Sequence, residues 1–314
     1  MSTTITTAEA KHIPLHNARP SFLGLVRGEF FKVMRQWTTW IMLVMLLGVI
    51  VLPYLILGTV PDAAARINSD PLHYFYNVLS IGLSIVRVFT GFFLLILTAR
   101  MIGLEYQLGT IRVLLSRGVG RLQLLFAKLL TVVIIALILL VLGLALNYLL
   151  TLILVAGATG NLHAFSALTS QFWSDAGTFV LYLLINMGVT ILLATAAAVL
   201  GRSLAFGLSV ALIFFPIDNI GTVIMELAYR ITGGDFWLNA TAYFLGPNLN
   251  YMPTALTSGR IDSIGSAPVY FVDNAHVVHG TQVDGTHTLV VAAVYAAIFA
   301  VTALWLMWKR DVKE

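Results

Sequence analysis

Residues 100–128 read RMIGLEYQLGTIRVLLSRGVGRLQLLFAK, and this stretch decides how the rest of the chain is read. It is the only strongly charged segment lying between long apolar runs, and it holds five of the chain's 18 lysines and arginines. Basic residues concentrate in loops on the cytoplasmic side of a membrane, which places this one in water on that side. Leu104, Leu108, Ile111 and Leu115 recur at i, i+4, i+7 and i+11, one stripe of an α-helix. Glu105 and Arg112 lie off the stripe, and Gly118 and Gly120 break the helix before the next apolar run. A topology loop needs no leucine stripe, so the pattern predicts a short amphipathic helix that docks on a partner. Gly109 is unfavourable inside a helix and marks a bend or a close approach to another backbone.

Outward from this loop the chain is overwhelmingly apolar. Of its 314 residues, 59% are hydrophobic and only 10% charged, against about a quarter charged in soluble domains. Uninterrupted apolar runs exclude the alternation of barrel strands, so the expected class is all-α and polytopic. The net charge of +4 lines membrane boundaries and does not form a nucleic-acid patch. Six spans are expected, at about 38–60, 76–102, 121–156, 176–200, 204–227 and 288–308. The third carries no charge from Leu129 to Ala156, roughly 42 Å of helix at 1.5 Å per residue, and so must tilt or protrude. Pro216 is expected to interrupt the fifth.

Residues 1–20 are polar with Pro14 and Pro20 and read as a flexible cytoplasmic tail. From Ser21 to Trp37 the pattern is amphipathic. Val26, Phe30, Val33 and Trp37 form one face, and Glu29, Lys32 and Arg35 project from the other, as in an elbow helix on the membrane surface. Ala63–Ala65 resembles a signal-peptidase site, but the preceding run is too long and too far from the start, which favours an uncleaved anchor. Six spans with 14 basic residues on one side and three on the other put both termini in the cytoplasm, 309–314 included. The polar outer region at 228–286 carries an aromatic part that lies at or dips into the outer interface.

Taken together, residues 21–308 resemble the type 2 ABC transporter permeases. The specific part is Glu105-x-x-x-Gly109-Thr110-x-Arg112-x-Leu114-Leu115-Ser116, followed by Arg121 and Lys128. The resemblance implies an elbow helix on the inner leaflet and a coupling helix between spans two and three, seated on an ATP-binding subunit. It also implies export, a second permease copy (identical or similar) and two copies of the motor subunit. The coupling residues would be Leu104, Glu105, Leu108, Gly109, Thr110, Ile111, Arg112 and Leu115.

The chain has no G-x-x-x-x-G-K-[ST] phosphate loop, so ATP and Mg²⁺ would sit on the partner and no cofactor is expected here. Zinc-protease and nucleophile-elbow signatures are also missing, which disfavours a membrane enzyme. A motor-independent carrier or channel would need acidic midplane residues, and only Asp218 qualifies. His276, His279 and His287 lie near Asp273 and Asp284 at spacings compatible with Zn²⁺, but a solvated polar loop is the favoured reading. Arg87 and Asp218 lie inside apolar spans, each roughly 22 Å from the inner boundary by counting residues. They are expected either to pair with each other or to line a substrate path. Asn147 and Asn186 are expected to hydrogen-bond between helices.

Overall fold

The computed structural model describes residues 21–262, 264–269, 271–272 and 278–309, with only the backbone at 271, 272, 278 and 279. The tail at 1–20, the loop positions Asp273 and His276, and the terminus beyond Lys309 lie outside the described residues. What is described is almost wholly helical. In chain order the helices are α1 (Phe22–Met34), α2 (Trp37–Gly58), α3 (Ala63–Ser69), α4 (Pro71–Gln107), α5 (Thr110–Ser116) and α6 (Arg121–Thr159). They continue with α7 (Ser170–Gly201), α8 (Leu204–Thr232), α9 (Phe236–Thr241), α10 (Leu245–Leu256) and α11 (Gly285–Lys309). A two-residue antiparallel ladder pairs β1 (Phe271–Val272) with β2 (Val278–His279).

Six of these helices, α2, α4, α6, α7, α8 and α11, are long and apolar enough to cross a membrane. With no hydrogen-bond partners in hydrocarbon, each must satisfy its backbone internally, and continuous helices do so. The two flanking the charged loop are the longest: α4 has 37 residues and α6 has 39. Helix α8 runs unbroken through Pro216, so the expected interruption does not occur. Proline removes one backbone donor, but its neighbours keep the helical path.

The centre of the bundle is α4 against α7, the two most buried of the six, with α11 and α8 packed against α7. The core joins Leu94, Leu97, Val132, Leu139, Tyr182 and Leu183 across α4, α6 and α7. Helix α10 is folded back into this body and packs on α7, α8 and α11, with Leu245, Leu249 and Met252 fully buried. The aromatic stretch at 236–252 therefore dips into the bundle and does not simply lie over it.

Short polar devices set the connections. Asp70 and Thr169 cap α4 and α7 by accepting from the backbone amides of His73 and Phe172. Between α7 and α8, Arg202 takes a left-handed conformation and Ser203 caps the next helix through the Phe206 amide. Gly103 lies where α4 meets this turn, and a Cβ there would sit 2.8 Å from the Leu204 Cα. Only glycine permits that approach. Asn147 accepts a hydrogen bond from the Tyr54 hydroxyl at 2.7 Å, tying α6 to α2 as a buried polar side chain in a span should.

Candidate functional site

The charged loop sits at one end of the bundle. Helix α4 ends at Gln107, Gly109 turns the chain with φ +67°, and α5 starts at Thr110. The single stripe from Leu104 to Leu115 is thus divided between two helices, because the left-handed conformation that glycine permits at 109 cannot continue a right-handed one. The consequence is a change of roles. Ile111 turns inward and is 2% exposed, packed with Ile102, Leu124, Leu125 and Leu306. Leu104 is half-buried and Leu115 packs at the edge of that cluster. Leu108 is 70% exposed and Val113 is 51% exposed. Thr110, Arg112, Ser116 and Arg117 share the outer surface with them. Gly118, with φ +83°, and Gly120, the N-cap of α6, end the segment.

Beneath α5 lies an ion network that joins three helices. Glu29 and Lys32 come from α1, Glu105 from the end of α4 and Lys128 from the start of α6. The Lys128 ammonium donates to Glu29 Oε2 at 2.9 Å and lies 2.8 Å from Glu105 Oε1. The Lys32 ammonium donates to Glu105 Oε1 at 2.8 Å and lies 2.6 Å from Glu29 Oε1. Each carboxylate faces both ammonium groups, so four charges close a ring of zero net charge. Lys128 is 3% exposed, a position that a charge keeps only when paired. Burial disfavours the charged form of Lys32, but its bonds to Glu105 and Glu29 outweigh this and raise its pKa above the ordinary value.

Helix α1 therefore differs from the sequence expectation. Val26, Glu29 and Val33 share the buried face, since positions i, i+3 and i+7 line one side of a helix. Glu29 does not project from the other face, and Trp37 begins α2 with 81% exposure. Arg35 is exposed and lies over the Phe31 ring, 5.4 Å from its centroid. Thr131 on α6 also donates to the Val26 carbonyl at 3.4 Å, so α1 is fastened along its length. A cleft of about 410 Å³ opens between α1, the end of α4 and α5. Glu29 and Glu105 line it together with Leu104, Leu108 and Val113.

A second polar centre lies within the bundle. Arg87 on α4 donates to the Tyr182 hydroxyl and, at 3.4 Å each, to the carbonyls of Leu249 and Ile264. Asp218 on α8 accepts from the backbone amide of Gly246. The two are not an ion pair: α10 lies between them, and each answers a different part of it. Residue counting gave depth along each helix but not the direction each side chain takes around it.

Toward the opposite end of the bundle from α5, Asp175 on α7 accepts a two-pronged bond from Arg260, Nε at 2.6 Å and the second nitrogen at 2.9 Å. The Tyr76 hydroxyl donates to the same carboxylate at 2.7 Å and Gln171 at 3.0 Å. Arg260 stays exposed, and its bonds to Asp175 raise its pKa. Ser80 adds a bond to the Asp262 carbonyl at 2.9 Å. Asp284 accepts from the His287 amide at the start of α11, and His287 Nε2 meets the Ala242 carbonyl. Among the described residues no three histidine, aspartate or glutamate side chains gather as a metal site would require.

The ring of Glu29, Lys32, Glu105 and Lys128 and the lock of Asp175 and Arg260 escaped the sequence reading. A lysine inside the apolar run of α6 was the one available signal for the first, since such a charge demands partners. No significant match was found among curated proteins or solved structures. Comparison with protein families matches residues 25–218, more than half of the chain, to the ABC-2 family transporter proteins. A helical body with six helices long and apolar enough to cross a membrane agrees with that match, and the chain belongs to the ABC-2 transporter family.

Proposed function

We propose that this chain is the permease subunit of an ATP-driven exporter in the plasma membrane, with both termini and α5 in the cytoplasm. In this reading α1 is the elbow helix and α5, with the end of α4, is the coupling helix. The observation that carries it is the combination of rigid attachment and outward apolar display at one place. The ion ring fastens α1, α4 and α6 together, while Leu108 and Val113 face outward beside the cleft. An exposed leucine and valine bordered by Arg112 and Arg117 suit a protein groove better than bulk water.

A separate polypeptide with a phosphate loop would supply ATP and Mg²⁺ binding, in two copies for a permease pair. Closure of the motor dimer would push on α5, and the ring would pass the displacement to α4 and α6 as one body. Support for a second permease copy comes from α8. Ile213, Ile217, Ile220, Ile224, Leu227 and Ile231 are all more than half exposed and recur at alternating steps of four and three, the spacing of a helix–helix seam. Residues 228–286 would then face outward, with Arg260 and Asp175 holding them to the bundle.

Affinity purification of the full chain from its native membrane tests the proposal. The expected result is a stoichiometric companion with a phosphate loop. Recovery of the chain without one, under conditions that keep the permease folded, would overturn it.

A further inference from the structure

A cavity of about 340 Å³ lies between α4, α7, α8 and α10, in the size range of small-ligand pockets. Arg87 is on its wall, buried among apolar helices. The contrast with Lys128 is informative. Lys128 is answered by two carboxylates, whereas among the described residues Arg87 meets only neutral groups: the oxygens of Tyr182, Leu249 and Ile264, and the Tyr182 ring, 5.7 Å from its centroid. These bonds use two hydrogens of one terminal nitrogen and one of the other. Of the five guanidinium N–H groups, two are left without an acceptor among the described residues. None of the three amides on the wall, Asn186, Asn219 and Asn250, is bonded to Arg87, and none could bring a counter-charge. Asn219 Oδ1 is already taken by Asn250 at 2.7 Å and by the Ser266 hydroxyl. A buried cation with spare donors and no counter-charge favours an anion beside it.

The rest of the lining defines what carries that anion. Leu95, Phe215 and Pro216 are apolar, and so are Val88 and Phe92, which line the cavity and are 36% and 40% exposed. These residues belong to helices long and apolar enough to cross a membrane, so the cavity lies at the depth of the acyl region. A free inorganic ion has no reason to enter there, but a molecule with an apolar tail does.

We propose that this cavity binds an amphiphile with a single anionic head group, the head on Arg87 and the tail along Val88, Phe92 and Phe215. Binding needs only this chain; that the ligand is cargo rests on the permease reading. The two are separable, because binding is measured without the motor and the permease reading is tested by recovery of the motor.

The test is equilibrium binding of radiolabelled decanoate to the full chain in nanodiscs of neutral lipid, with decanol and inorganic phosphate as competitors. Decanoate is expected to bind, and the alcohol and phosphate to displace it at least tenfold less well than unlabelled decanoate. Arg87→Gln should weaken binding at least tenfold. Gly91→Leu provides a second variant that leaves Arg87 in place. A Cβ at Gly91 meets no atom within 4 Å, so a leucine fits and fills the cavity. It too should abolish binding. Equal competition by decanol would show that only the tail is read, and equal competition by phosphate that a free ion is bound. Either result, or unchanged binding in a folded Gly91→Leu chain, would overturn the proposal.

Discussion

Replacing Lys128 by methionine tests the ion ring where it is most vulnerable. The side chain is 3% exposed, and its removal leaves Glu29 and Glu105 sharing one ammonium. That ammonium belongs to Lys32, whose side chain is 51% exposed and so compensates less than a buried partner. Removing one partner of a buried pair costs about 3–5 kcal/mol, because the other charge stays buried and uncompensated. At roughly 2 °C per kcal/mol for a chain of this length, the unfolding midpoint should fall by about 6–10 °C. The reciprocal change is milder. Glu29→Gln leaves Lys128 bound to Glu105 and lets Lys32 turn toward water, so about half that loss is expected. Thermal unfolding of the detergent-purified chain, followed by intrinsic fluorescence, measures both. Equal midpoints for Lys128→Met and the unaltered chain would refute the reasoning, since no buried ammonium could then be holding the two carboxylates.

Three further expectations concern orientation and the distal parts of the bundle. Single cysteines at Ser116 and Ser258, both exposed, are unambiguous because the chain has none of its own. An impermeant maleimide on intact cells should label the second and spare the first, and the reverse would invert the topology. Arg260→Gln should leave the buried Asp175 carboxylate with only neutral donors and loosen the segment that Arg260 ties to α7. Limited proteolysis between α10 and α11 would then quicken several-fold, whereas an unchanged rate would deny the lock. A cysteine at Ile220 should crosslink two copies of the chain in membranes if the α8 seam is shared, and a cysteine at the buried Ala211 should not.

The six long helices were legible because an apolar run of twenty residues has few alternatives in hydrocarbon. The bend at Gly109 was legible as well, from the cost of glycine in a helix. Its effect was not, because a left-handed residue rotates everything after it and exchanges Ile111 for Val113 on the outer surface. The burial of Glu29 is not legible from its charge, which suggests the solvent face; only its place between Val26 and Val33 at helical spacing points inward. Asp175 and Arg260 lie 85 residues apart, and no local pattern connects them. Arg87 and Asp218 stand out in the sequence by their apolar surroundings, but whether they meet depends on α10, which enters the bundle from the polar region at 228–286.

In the proposed permease, α5 and the end of α4 seat the motor subunit. Leu108 and Val113 are its most exposed apolar groups, and hiding them would contribute about 3 kcal/mol, a factor of more than 100 in affinity. Neither is in the buried core of this chain, so Leu108→Asp with Val113→Asp should leave the permease folded. The measurement is the ratio of ATP-binding subunit to permease recovered from membranes of the doubly altered and unaltered chains. A fall of at least tenfold, with the unfolding midpoint unchanged, is the predicted result. An unchanged ratio would contradict the account and place the motor elsewhere.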